Sequence, residues 1–304
     1  MNDQLQFVIN PYNNPTSENR PGAILIGNWK TEYCKTLLKK KITALYLNVA
    51  QGWQGTDLSF LKDLDMIEEL QIIAPQTENL AAIENMKALQ QLSITTNTRE
   101  TIDFNKLEKL RSCYLYWWNN TKSVFECRNL ESVYFDKLKL KDYSIITHLS
   151  KLKSLTIANC PITATDWIHE LAQLNQLSLY NCKKIPTFNP ISQLKNLNRL
   201  EISGYRNLGS IDFLRNLTEL EILLLTDVGE ITNLSPFESL TQLKAFCFAG
   251  AKTRVSDGNL SVLETLPRLA MLMFRPWKHY THKLIKKWNW KNLNTPDRLL
   301  EKSR

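Results

Sequence analysis

One spacing limits what this 304-residue chain can fold into. The pattern L-x-x-L-x-x-L-x-(L/I/F) recurs along most of it. It is clear at LSKLKSLTI (149–157), LAQLNQLSL (171–179), LKNLNRLEI (194–202), LTELEILLL (217–225) and LTQLKAFCF (240–248). More degenerate copies lie upstream, and LPRLAMLMF (266–274) closes the series. The first apolar residue of each terminal L-x-L falls at Leu45, Leu70, Leu92, Cys113, Val133, Leu155, Leu177, Leu200, Leu223, Phe246 and Leu272. The steps are 25, 22, 21, 20, 22, 22, 23, 23, 23 and 26, a mean of about 23. A coiled coil needs a period of seven, which these steps do not keep.

The alternation L-x-L turns two apolar residues to one side of a short extended segment. The preceding L-x-x-L spacing suits a turn or short helix that returns the chain. One unit of this size cannot bury its apolar face alone, so neighbours must stack and share a core. The short strands then pair in parallel along one face of a solenoid.

The same residues carry a resemblance. L-x-x-L-x-L-x-x-(N/C) stands intact in LKSLTIANC (152–160) and LNQLSLYNC (174–182), and nearly so in LQQLSITTN (89–97). This resembles the leucine-rich repeat family, closest to the short class of phosphatase regulators and bacterial internalins. DLSFLKDLDMIEELQI (57–72) and ITNLSPFESLTQLKAF (231–246) look like that class's consensus. Cys113 and Val133 stand where it has leucines, and Trp118, Leu138 and Tyr205 where it has Asn or Cys. The resemblance implies an α/β solenoid, a horseshoe of about 11 repeats. Its parallel β-sheet would line the concave face, with short 3₁₀ or extended returns on the convex face and a cap at both ends.

The repeats are expected over 42–275, an N-terminal cap over 1–41 and a basic, Trp-rich helical cap over 276–304. AILIG (23–27) reads as an edge strand, and TEYCKTLLKKK (31–41) as a helix with Tyr33, Leu37 and Leu38 inward. Trp277, Tyr280, Leu284 and Trp288 share one helical face. Thr295-Pro296-Asp297 suits the start of a last short helix.

Composition excludes several function classes. No run of about 18 apolar residues occurs, so no membrane-spanning helix is expected. The opening MNDQLQFVINPYNNP has neither a basic nor a long apolar stretch, so no secretory leader and a cytoplasmic location are expected. The net charge of +8 hints at an acidic partner, but residues 275–304 hold nine basic and two acidic residues. That segment carries +7 and the rest only +1, which confines any nucleic-acid reading to the tail.

Candidate chemistry is sparse. The six cysteines form no CxxC, and Cys160 and Cys182 occupy the repeat's Asn/Cys position. The four histidines give no metal-ligand spacing, and His279 and His282 lack carboxylate or thiol partners. No phosphate-binding glycine loop and no hydrolase elbow is present. No cofactor, no metal and no catalytic activity are expected.

The outward positions of the strands are more informative. They concentrate aromatics at mid-chain: Tyr114, Tyr116, Trp117, Tyr134 and Tyr180. Strands about 4.8 Å apart would bring these rings together across the face. Asp136, Lys137, Arg199, Glu201 and Asp227 would form a polar fringe. Aromatic side chains with polar tips make interface hot spots. The expected partner-binding residues are therefore Tyr114, Tyr116, Trp117, Tyr134, Tyr180, Asp136, Lys137 and Glu201.

The expected function is a non-catalytic, monomeric interaction module that binds a protein on its concave face, as a regulator or immunity-type inhibitor of an enzyme. The alternative is binding of nucleic acid or an anionic surface through the basic C-terminal segment. The two differ in salt dependence, which is steep for phosphate contacts.

Overall fold

A computed structural model describes residues 3–9 and 20–281. The strands are β1 (Gln4–Ile9), β2 (Pro21–Ile26), β3 (Ala44–Asn48), β4 (Glu69–Ile73), β5 (Gln91–Thr95), β6 (Ser112–Tyr116) and β7 (Ser132–Asp136). They continue with β8 (Ser154–Ala158), β9 (Gln176–Tyr180), β10 (Arg199–Ser203), β11 (Ile222–Thr226), β12 (Glu230–Ile231), β13 (Ala245–Ala249), β14 (Arg254–Val255) and β15 (Met271–Phe274). Among the described residues two helices, α1 (Glu32–Lys39) and α2 (Val262–Thr265), complete the regular elements beside many 3₁₀ turns. The chain divides into two compact units. One holds residues up to 139 with 148–152, and the other 140–147 with residues from 153 on.

The period residues stack in register. In the first unit Leu45 pairs with Leu70, Leu70 with Leu92, Leu92 with Cys113 and Cys113 with Val133, all parallel. In the second, Leu155, Leu177, Leu200, Leu223, Phe246 and Leu272 continue in the same way from neighbour to neighbour. Each is at most 2% exposed. Burial alternates along β5, β6 and β7, as a strand with one buried face requires.

The L-x-x-L spacing has a direct cause. Leu214 donates its N–H to Ile211 O at 3.0 Å, Leu217 to Leu214 O at 2.9 Å, and Leu220 to Leu217 O at 3.0 Å. Phe237, Leu240 and Leu243 repeat the series from Leu234. A 3₁₀ turn has three residues, so every third side chain points the same way. The leucines thus share one inward face and are fully buried. Many returns open on a side chain that accepts the N–H two residues on. Asp57 serves Ser59 at 2.8 Å, Asp103 serves Asn105 at 3.1 Å, Asp142 serves Ser144 at 2.8 Å and Asn233 serves Ser235 at 2.9 Å.

The ends depart from expectation. AILIG is not an edge: β2 pairs antiparallel with β1 on one side and parallel with β3 on the other. In α1, Tyr33 and Leu37 are buried but Leu38 is 54% exposed, because one residue past Leu37 rotates off the inward face. After β15 the described chain has turns rather than a helix. There the Trp277 indole donates to Thr253 O at 3.0 Å, and the Tyr280 hydroxyl accepts from the Val255 N–H at 3.0 Å. Leu284, Trp288 and the short helix expected at 295–304 lie outside the described residues.

Candidate partner-binding face

In the first unit the sheet face turned from the core holds a compact aromatic group. Tyr114 and Tyr134 are register partners on β6 and β7, and their rings stack at 4.3 Å with 23° between planes. Tyr116 is paired with Asp136 one step along. Lys137 donates from Nζ to the Tyr116 hydroxyl at 2.8 Å and lies 4.8 Å from its ring centroid. That hydrogen bond raises the Lys137 pKa above its ordinary value. Burial, with the Asp136 charge second, raises that of Tyr114. All three tyrosines are partly exposed, and Lys137 is exposed. The group offers two stacked rings, a third ring held by an ammonium, and one carboxylate.

Trp117 does not belong to it. The ring is 7% exposed and packs on Phe125 at 5.7 Å and Phe135 at 6.2 Å. The cause is local. After β7 the chain inserts Lys137 in the left-handed conformation (φ 58°) before returning inward at Leu138. After β6 no such residue occurs, so the position following Tyr116 already points into the core.

Tyr180 and Glu201 lie in the second unit. Burial raises the Tyr180 pKa first, and the Glu201 carboxylate second. Glu201 accepts from Arg199 at 3.1 Å, with both side chains about one-seventh exposed. Beyond them the same sheet face turns apolar. Leu224 and Cys247 are buried on it, with Ile222, Ala249, Met271 and Met273 packed around them. The sequence signal for this cluster is the residue inside L-x-L, which is Leu224, Cys247 and Met273 on three successive repeats.

Burial works against thiolate formation at three of the cysteines. Burial pushes Cys127 up to about 12 and Cys247 up to about 11, and raises Cys113 well above its usual range. Cys182 is lowered by its hydrogen bond with Cys160, yet both are 2% exposed. Among the described residues no cluster of three or more His, Cys, Asp or Glu could hold a metal ion. His279 is engaged with Val255 O at 2.8 Å, and His282 lies outside the described residues. No helix among the described residues is long and apolar enough to cross a membrane.

Comparison with solved structures places the fold. An internalin (InlF) of Listeria monocytogenes superposes with a TM-score of 0.55 at 17% identity, over 78% of this chain and 75% of that one. A chain of the mouse RP105/MD-1 complex gives 0.51 at 19%, over 77% of this chain and 46% of that one. No protein-family profile and no curated protein matches the chain by sequence. At these identities the likeness is one of fold, and the fold is the leucine-rich repeat.

Proposed function

We propose that this leucine-rich-repeat chain is a non-catalytic interaction module that seats a protein partner on Tyr114, Tyr116, Tyr134, Asp136 and Lys137, and thereby regulates or inhibits that partner. The observation that carries the reading is the preformed order of the rings. Tyr114 and Tyr134 are already stacked, and Tyr116 is already held by Lys137. Rings fixed before binding lose little rotamer entropy when a partner arrives.

A Tyr116→Ala/Tyr134→Ala double variant tests it beside the wild type in capture from native lysate, with circular dichroism as a fold check. Both side chains are partly exposed, so the fold should survive. A stoichiometric protein held by the wild type and lost by the variant is expected, at a cost of about 2 kcal/mol or more for a hot-spot ring. Equal retention by both rejects this face. Recovery of nucleic acid released by moderate salt would instead favour the basic C-terminal segment.

A further inference from the structure

We propose that the chain pairs with a second copy of itself along the outer edge of β1. This strand ends the strand order and, among the described residues, pairs only with β2. Among the described residues nothing hydrogen-bonds its other edge. An open edge is a template for another strand, and proteins usually guard one with a charge, a proline, a bulge or a very short strand. β1 has none of these. Its sequence, QLQFVI, is uncharged, and its six residues pair with β2 without a break. The other end of the strand order differs: β15 has only four residues and is followed by the charged Arg275.

Side chains point the same way. Phe7 is 41% and Ile9 70% exposed, and they share one face of β1. The Lys40 ammonium, 4.7 Å from the Phe7 ring centroid, brings the end of α1 beside them, and Leu38 of that helix is 54% exposed. Three of the four exposed large hydrophobics among the described residues therefore sit in this cap, the fourth being Val49.

A second copy suits this edge because the strand complements itself. With no charge between Gln4 and Ile9, antiparallel self-pairing sets no like charges of the strand itself opposite one another; the Lys40 ammonium lies over Phe7, beside the strand. A twofold axis through Val8 puts Phe7 opposite Ile9 of the second copy, apolar against apolar, in both halves of the contact. The isologous arrangement closes after two chains. It stands against the monomer expected from sequence.

Sedimentation over a concentration series tests the pairing, with Ile9→Lys as the variant and Val49→Lys as a control at the exposed hydrophobic outside the cap. Both sites are exposed, so both variants should keep the wild-type circular dichroism spectrum and melt. The wild type and Val49→Lys are expected to shift toward twice the 35.3 kDa chain mass as concentration rises. Ile9→Lys should weaken the association at least about tenfold. Single-chain mass of the wild type at every concentration overturns the proposal. So does an Ile9→Lys dimer as tight as wild type, or equal loss in both variants, which would mark unspecific apolar association.

Discussion

Strands β4, β5 and β6 leave the sheet differently from β7, β8, β9, β10, β11 and β13. In the later group the residue after the strand is left-handed: Lys137, Asn159, Asn181, Gly204, Asp227 and Gly250 all have positive φ. In the earlier group Ala74, Thr96 and Trp117 hold that position without it, and each is buried. The backbone contact is nonetheless shared. Trp117 donates its N–H to Asp136 O at 2.9 Å, as Asn159 does to Tyr180 O at 2.8 Å. The left-handed residue thus adds one position without disturbing the ladder, and the inward side chain comes one later, at Leu138, Cys160, Cys182 and Val228. The two shortest steps of the period, 21 and 20, both begin on strands of the earlier kind. One residue at the exit decides whether an aromatic there is core or surface.

The largest test of this difference is Trp117→Ala. A buried aromatic truncated to Ala costs about 3–5 kcal/mol. The indole N–H has no partner, and losing an unsatisfied buried donor returns about 1–3 kcal/mol. Urea unfolding should therefore show a loss near the lower end of the truncation range, whereas Tyr116→Ala, one residue earlier and outward, should lose far less. Equal losses would erase the distinction between the two exits.

Next comes Gly250→Ala. At φ 124° an L side chain is strained, and a Cβ there would fall 2.8 Å from the Asp227 backbone nitrogen. A loss of roughly 1–3 kcal/mol is expected in the same unfolding measurement. An unchanged midpoint would mean that this exit relaxes and that its left-handed residue is not required.

Lys137→Gly is the smaller and more instructive change. Lysine at φ 58° carries a left-handed cost of about 1–2 kcal/mol that glycine lacks, against the greater freedom glycine has when unfolded. Stability should hold or rise slightly, while Tyr116 loses the ammonium that orders it. Calorimetry and partner capture on one variant then separate fold from binding. Lost stability together with intact capture would contradict both roles given to Lys137.

How much of this was readable follows from the same residues. The leucine spacing encodes both the strand register and the three-residue turns, so the repeats from Leu45 to Leu272 could be placed from sequence alone. The exit after β7 could not, because Lys137, unlike the Asn, Asp and Gly at the later exits, gives no sign of a left-handed backbone. Only the 20-residue step after Cys113 hinted that Trp117 turns inward. The repeat carries no signal for β1, which pairs antiparallel and lies outside it. The apolar face around Leu224 and Cys247 is legible in the residues inside successive L-x-L pairs, Leu224, Cys247 and Met273.

The smallest effect asks whether the returns differ as the exits do. Asp57 opens a return in the earlier region and Asp142 one in the later region, each accepting the N–H of the residue two on at 2.8 Å. Hydrogen bonding holds both carboxyls below the ordinary value of 3.8, chiefly from the Asn79 side chain for Asp57 and from the Ser144 backbone for Asp142. A pKa lower in the folded than in the unfolded chain stabilises above the unfolded value, and that contribution fades as pH falls through the folded one. Asp57→Asn and Asp142→Asn should each flatten the acid limb of the melting temperature below about pH 4, by similar small amounts. At neutral pH each should melt slightly below wild type, since the amide oxygen still accepts the N–H but the carboxylate's contribution is gone, and the curves should converge with wild type as pH falls. A flattened limb in one variant but not the other would show that the difference between the regions reaches into the returns; matched limbs would confine it to the single residue that follows each strand.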